Sequence, residues 1–258
     1  NPDILGRERI LSVHSKKTPL ASDVDLKVIA RGTPGFSGAD LANIVNEAAL
    51  LAGRVRRDEI TMRDMSEAVD RVMAGPERRS RVMSDREKSI TAHHEAGHAI
   101  VGHLLPDADP VHKVSIVARG RALGWTLTLP TEDRYTHSAD ELAARLAVYM
   151  GGLSAEELVF GERTTGAVDD IERATKLARA MVTEYGMSEV LGPQRLTPAE
   201  DELLSRDGQP GARSSEVAAT VDAEVKRLID GAHRQALTLL GEHRATLDRL
   251  AARLIDVE

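Results

Sequence analysis

Leu41, Ile44, Val45, Ala48, Leu51 and Ala52 recur at intervals of three and four residues, the spacing of one helical face. The pattern predicts a helix over 38–52, with Ser37 placed to cap it and Gly53 to end it. Ahead of it, Ile4, Ile10, Leu11 and Val13 form a short amphipathic stretch, and Ser22-Asp23 is set to cap a second helix. Thr61 caps a further helix running to about Met73, which completes a bundle of four short helices. The polar segment 75–81, opened by Gly75-Pro76, marks a domain boundary. A long helix follows over 84–105, stopped by Pro106 and Pro110. Val114 and Ile116, then Trp125, Leu127 and Leu129, alternate with polar residues and predict strands. Helical spacing returns at 138–158, 167–185, 214–240 and 242–256, while the Pro- and Gly-rich stretch 193–213 reads as a loop. The expected fold is mainly α with a small β-sheet.

Composition narrows this picture in three ways. Only 2% of the 258 residues are aromatic against 41% hydrophobic, so Leu, Val, Ile, Ala and Met must build the core. A formal net charge of −7 without a long basic run gives no support for a nucleic-acid partner. There is no cysteine, which excludes disulfides and leaves His, Asp and Glu as the ligands of any transition metal. No stretch approaches the roughly 18 apolar residues of a membrane span. The chain opens without Met on what reads as the start of a helix, and we expect it to be an excised piece of a longer protein.

The chemistry concentrates in the long helix. His93, His94, His98 and His103 all lie in TAHHEAGHAIVGHLL. Residues four apart share a helical face, so His94 and His98 can grip one ion, with Glu95 beside them in the pattern H-E-x-x-H. Zinc held this way lowers the pKa of its water to about 7, and Glu95 can take the proton. The pair shares its face with Val101 and Leu105 and so points inward, where unliganded imidazoles would carry a desolvation cost. Gly97 costs about 1 kcal/mol in mid-helix, which close packing beside a metal would explain. His93 is rotated by about 100° towards the polar side. His103 lies off the ligand face, and both read as surface or supporting groups.

A catalytic zinc keeps three protein ligands, so a third must come from downstream. The candidates are His112, His137, Glu156, Glu157, Asp169 and Asp170. Asp170 heads the apolar stripe Ala174, Leu177, Met181, whereas Asp169 lies with Arg173 and Lys176. An acid at the head of an apolar stripe needs a partner, and a metal supplies one. Asp170 is therefore the expected ligand, with Glu156 or Glu157 as the next choice.

Several long stretches now carry a resemblance: GTPGFSGADLANIVNEAAL, GPERRSRVMS, AHHEAGHAIVG, RGRALGWTLTLPTEDRY, GGLSAEELVFGE and TTGAVDDIERATKLARAMVTEYGMSEVLGP. The chain resembles the C-terminal part of an FtsH-type ATP-dependent zinc metalloprotease. The resemblance implies an AAA+ helical lid subdomain at 1–77 and a helical zinc-peptidase domain at 78–258. It implies metal ligands His94, His98 and Asp170, Glu95 as catalytic base, and a nucleotide-facing region at Gly38 and Ala39. It also implies a membrane-anchored homo-hexamer that degrades unfolded or membrane proteins, with this part in the cytoplasm or an organelle interior. No G-x-x-x-x-G-K-[ST] loop is present, so the core that binds ATP and Mg²⁺, like the membrane segment, would precede Asn1. Asp169 stands where the family usually has Asn, and the loop 194–213 departs from the family pattern.

The expected activity is endopeptidase cleavage, with a strand of 112–130 adding the substrate backbone to its edge. Tyr149 and Tyr185 are assigned to core packing rather than to the oxyanion. The rival reading is a non-catalytic, ring-forming assembly module, which has no use for Glu95.

Overall fold

The structure, a computed structural model, describes residues 1–77, 83–119, 123–130, 133, 134, 136–196 and 214–258. Four helices come first: α1 (Ile4–Ser15), α2 (Leu26–Arg31), α3 (Gly38–Arg54) and α4 (Met62–Ala74). Short polar side chains start each one. Asp3 and Asp25 accept backbone N–H groups at the starts of α1 and α2. Ser37 with Asp40, and Thr61 with Asp64, form reciprocal capping boxes at α3 and α4. The cap of α2 is Asp25 rather than the expected Ser22-Asp23, and Asp23 instead accepts the Met62 N–H at 3.2 Å. Leu11, Ile29, Leu41, Ile44, Ile60 and Met65 close a core of their own.

The remaining elements surround a second core. They are α5 (Asp85–Leu104), β1 (Val111–Ser115), β2 (Trp125–Thr128), α6 (Ala139–Phe160), a 3₁₀ turn (Thr165–Ala167), α7 (Val168–Thr183), α8 (Ser215–Glu242) and α9 (Arg244–Val257). Helix α5 is buried on nearly every side from Thr91 to Gly102, because α6, α9 and the strand pair all lie against it. The strands pair antiparallel, with Val114 opposite Thr126 and Ser115 opposite Trp125, and a bulge between Val111 and Lys113. They are shorter than their hydrophobic alternation suggests: Ile116 and Leu129 fall just beyond them.

The crossing of α5 and α6 explains Gly97. A β-carbon there would lie 2.4 Å from the Gly151 carbonyl oxygen and 2.7 Å from Ala155. The close packing that Gly97 serves is therefore against the second helix of this crossing, α6.

A seam of ion pairs joins the two cores. Arg119, only 4% exposed, donates to Glu67 at 2.8 Å and to Glu77 at 3.1 Å, and stands 3.8 Å from Asp70. Lys113 of β1 also pairs with Asp70, and buried Arg7 donates to Asp133 at 3.0 Å. No helix among the described residues is long and apolar enough to cross a membrane. Part of the expected boundary 75–81 (78–81) and most of the expected loop 194–213 (197–213) lie outside the described residues.

Candidate metal centre

Three helices bring the predicted residues together. His94 and His98 project from α5, and Asp170 from the first turn of α7. His94 Nε2 and His98 Nε2 are 3.1 Å apart, and Asp170 Oδ2 lies 3.1 Å from the first and 3.3 Å from the second. Glu156 and Val148 of α6 hold the other face of each ring. His94 Nδ1 meets Glu156 Oε1 at 2.7 Å, and His98 Nδ1 meets the Val148 carbonyl at 2.7 Å. A carboxylate and a carbonyl only accept, so each Nδ1 must carry the proton and donate it. Each Nε2 is then left with a lone pair, and both lone pairs face the Asp170 carboxylate.

Three acceptors converging in a buried site are mutually repulsive unless a cation lies among them. Without a metal, that cation is a proton. Burial works against charging His94, but the Asp170 and Glu156 carboxylates outweigh it and push its pKa up to about 10. Burial likewise raises Asp170, yet the charge of His98 and the hydrogen bond to His94 hold its carboxyl far below the usual range. Two imidazole nitrogens and one carboxylate oxygen suit zinc, and Gly152 leaves them room. A β-carbon on Gly152 would sit 2.4 Å from His94 Nε2 and 2.6 Å from His98 Nε2.

Glu95 is 5% exposed and turns towards β2, where the Thr126 hydroxyl donates to its Oε2 at 2.7 Å. Burial raises its pKa, opposed by positive charge on His98 and His94 and by that hydrogen bond. Beside the trio lies a cavity of about 580 Å³, whose walls include Glu95, Leu123, Trp125, Tyr149, Val168 and Arg173.

The other candidates are placed elsewhere. Glu156 is buried behind His94, and its second oxygen accepts the Thr164 N–H at 2.7 Å, so it orients a ligand from the far side of the ring. Glu157 pairs with Arg163 and His233, His137 with Glu141, and His112 is exposed. Asp169 is exposed at the cavity rim. His103 is exposed, whereas His93 is packed edge-on against Phe160 with its Nδ1 on the Ser89 carbonyl, so it is not a surface group. Tyr185 is 55% exposed, which corrects its assignment to the core, and Tyr149 lies partly against the core and partly on the cavity. Gly38 opens α3 half-buried, and Ala39 is exposed. Sequence reasoning missed Val148, Gly152, Gly124 and Thr126. The Gly151-Gly152 pair inside an apolar helix was a usable sign of close approach.

An H-E-x-x-H helix, joined by a carboxylate from a second helix beside a groove, defines a helical metallopeptidase. The chain belongs to peptidase family M41, whose model matches residues 81–258, and the AAA+ lid domain model matches residues 23–67. The chain is similar over its whole length to the ATP-dependent zinc metalloprotease FtsH of Rubrobacter xylanophilus, at 56% identity, and covers 40% of that protein. It is 52% identical to FtsH 3 of Symbiobacterium thermophilum and 50% identical to FtsH of Thermotoga maritima, covering 42% and 43% of them. The chain thus spans about two-fifths of the length of these relatives.

Proposed function

We propose that this chain is the zinc-dependent endopeptidase portion of an ATP-dependent protease, with a helical lid at 1–77 and the peptidase domain at 78–258. One observation carries the reading: three acceptor atoms, two on buried His94 and His98 and one on partly buried Asp170, meet within 3.3 Å while both Nδ1 protons are engaged elsewhere. His94, His98 and Asp170 hold the ion, and Glu156 and the Val148 carbonyl fix the two rings. A zinc ion held by these three residues would supply Lewis acidity towards the scissile carbonyl and a water acidic enough to lose a proton near neutral pH. Glu95 accepts that proton and returns it to the leaving amine. The cavity admits an extended chain alongside β2, and apolar Leu123, Trp125 and Val168 offer contacts that depend little on sequence.

The relatives are named ATP-dependent zinc metalloproteases, which supports ATP-driven proteolysis. In the wider frame we propose, the whole protein is a membrane-anchored homo-hexamer that degrades unfolded or membrane proteins. This part would then face the cytoplasm or an organelle interior. ATP and Mg²⁺ would be held by a core outside this chain, with Gly38 and Ala39 turned to the nucleotide. Casein hydrolysis by the full-length protein tests the central reading. Chelation and Glu95→Gln should each lower the rate by at least roughly a hundredfold, and Asp170→Ala should strip the zinc. Unchanged proteolysis after both chelation and Glu95→Gln would defeat the assignment. Full zinc retention in Asp170→Ala would remove Asp170 from the ligand set.

A further inference from the structure

A general base buried in a protein wall must be held at one oxygen and free at the other. Among the described residues, the Thr126 hydroxyl is the hydrogen-bond donor that reaches the Glu95 carboxylate. It lies 2.7 Å from Oε2 and 3.2 Å from the Glu95 carbonyl. Two residues earlier, just before β2 begins, Gly124 lies flat against the same side chain. A β-carbon there would stand 2.8 Å from both Glu95 Cγ and Oε1, and 2.9 Å from the Ser115 carbonyl of β1. Oε1 carries no hydrogen bond from the described residues, and Glu95 lines the cavity.

We infer that Gly124-Trp125-Thr126 is a positioning clamp for Glu95: Thr126 fixes Oε2 and Gly124 sets the depth of the carboxylate, leaving Oε1 to work on the proton. The strand is itself anchored, since Thr126 stands opposite Val114 in the β1–β2 pairing. Among the described residues, both hydrogen bonds of the Thr126 hydroxyl go to Glu95 and none to the rings of the candidate metal centre. The clamp therefore acts through the base and not through the ion. Its residue type follows from this role: a hydroxyl donates to the carboxylate oxygen, and on a β-branched stem it has few rotamers to lose.

This inference rests on the reading of Glu95 as the base, and the test separates the two. Full-length protein carrying Thr126→Val, Thr126→Ser or Glu95→Gln is assayed for kcat and KM on a fluorogenic peptide. Zinc stoichiometry and melting temperature are recorded for each. The clamp predicts that Thr126→Val lowers kcat by roughly ten- to a hundredfold, the effect of losing a hydrogen bond to a charged group. KM, zinc content and melting temperature should stay near wild type, and Thr126→Ser should recover most of kcat. If Glu95→Gln abolishes turnover while Thr126→Val does not change kcat, the clamp is wrong and the base stands. Equal impairment of the Ser and Val variants, or zinc loss matching the loss of rate, also overturns it by making Thr126 a packing residue. If Glu95→Gln keeps full activity, the base assignment itself fails.

Discussion

At the scale of single residues, the imidazoles are governed by what lies behind them. Glu156 has both oxygens committed, one to His94 Nδ1 and one to the Thr164 N–H, with its side chain only 1% exposed. Removing that carboxylate frees the ring to rotate and to change tautomer. Glu156→Ala should weaken zinc binding by about ten- to a hundredfold, as read by competition with a chelator of known affinity. His94, Glu95 and His98 were legible because helical spacing alone puts the histidines on one face. Asp170 was legible because an acid at the head of an apolar stripe is an anomaly. Glu156, Gly152, Val148 and Thr126 were not legible in these roles. Each works across a contact between elements, and no local period in the chain encodes which turn of α6, or which register of β2, will meet α5.

At the scale of elements, Ser37 and Thr61 marked the starts of α3 and α4, because each cap acts within four residues, whereas Ser22-Asp23 did not start α2. Asp64 shows how much one such residue can hold. It accepts from Arg57 through both oxygens, at 2.5 and 2.7 Å, and from the Thr61 backbone. The Arg57 hydrogen bonds, opposed by burial and helped by Thr61, lower its pKa from 3.8 to about 2. A depressed folded-state pKa means the stabilisation is present above the unfolded value near 3.8 and is lost as pH falls through about 2. Asp64→Asn should therefore lower the melting temperature at pH 7, and the gap from wild type should narrow as pH falls from about 4 to about 2. Differential scanning calorimetry across that range checks both sign and window. The strand limits were less legible, since a two-stranded ribbon ends where its partner's hydrogen bonds end, whatever the hydrophobic alternation does beyond.

At the scale of the whole molecule, a seam of charges lies between two hydrophobic cores. Arg119 serves Glu67 and Glu77 and lies near Asp70 while being almost wholly buried. Removing Arg119 leaves Glu67 and Glu77, each about a quarter exposed, beside buried Asp70. Arg119→Ala should cost about 3–5 kcal/mol, seen as an earlier, separate unfolding of the lid in chemical denaturation. Arg119→Lys should recover only part of it, because an ammonium cannot match the guanidinium fork. A two-part architecture was visible in the Gly75-Pro76 break. The seam was not, because Arg119 lies far along the chain from the acids it serves.

The enclosure of α5 bears on how the molecule moves. Amides of a helix covered on nearly every side exchange with solvent only when the surrounding domain comes apart. The stretch from Thr91 to Gly102 therefore belongs to the slowest-exchanging part of the chain, and the two imidazoles stand on a support that does not breathe. Any opening that admits a polypeptide must therefore be made by the walls that face α5 and not by α5 itself.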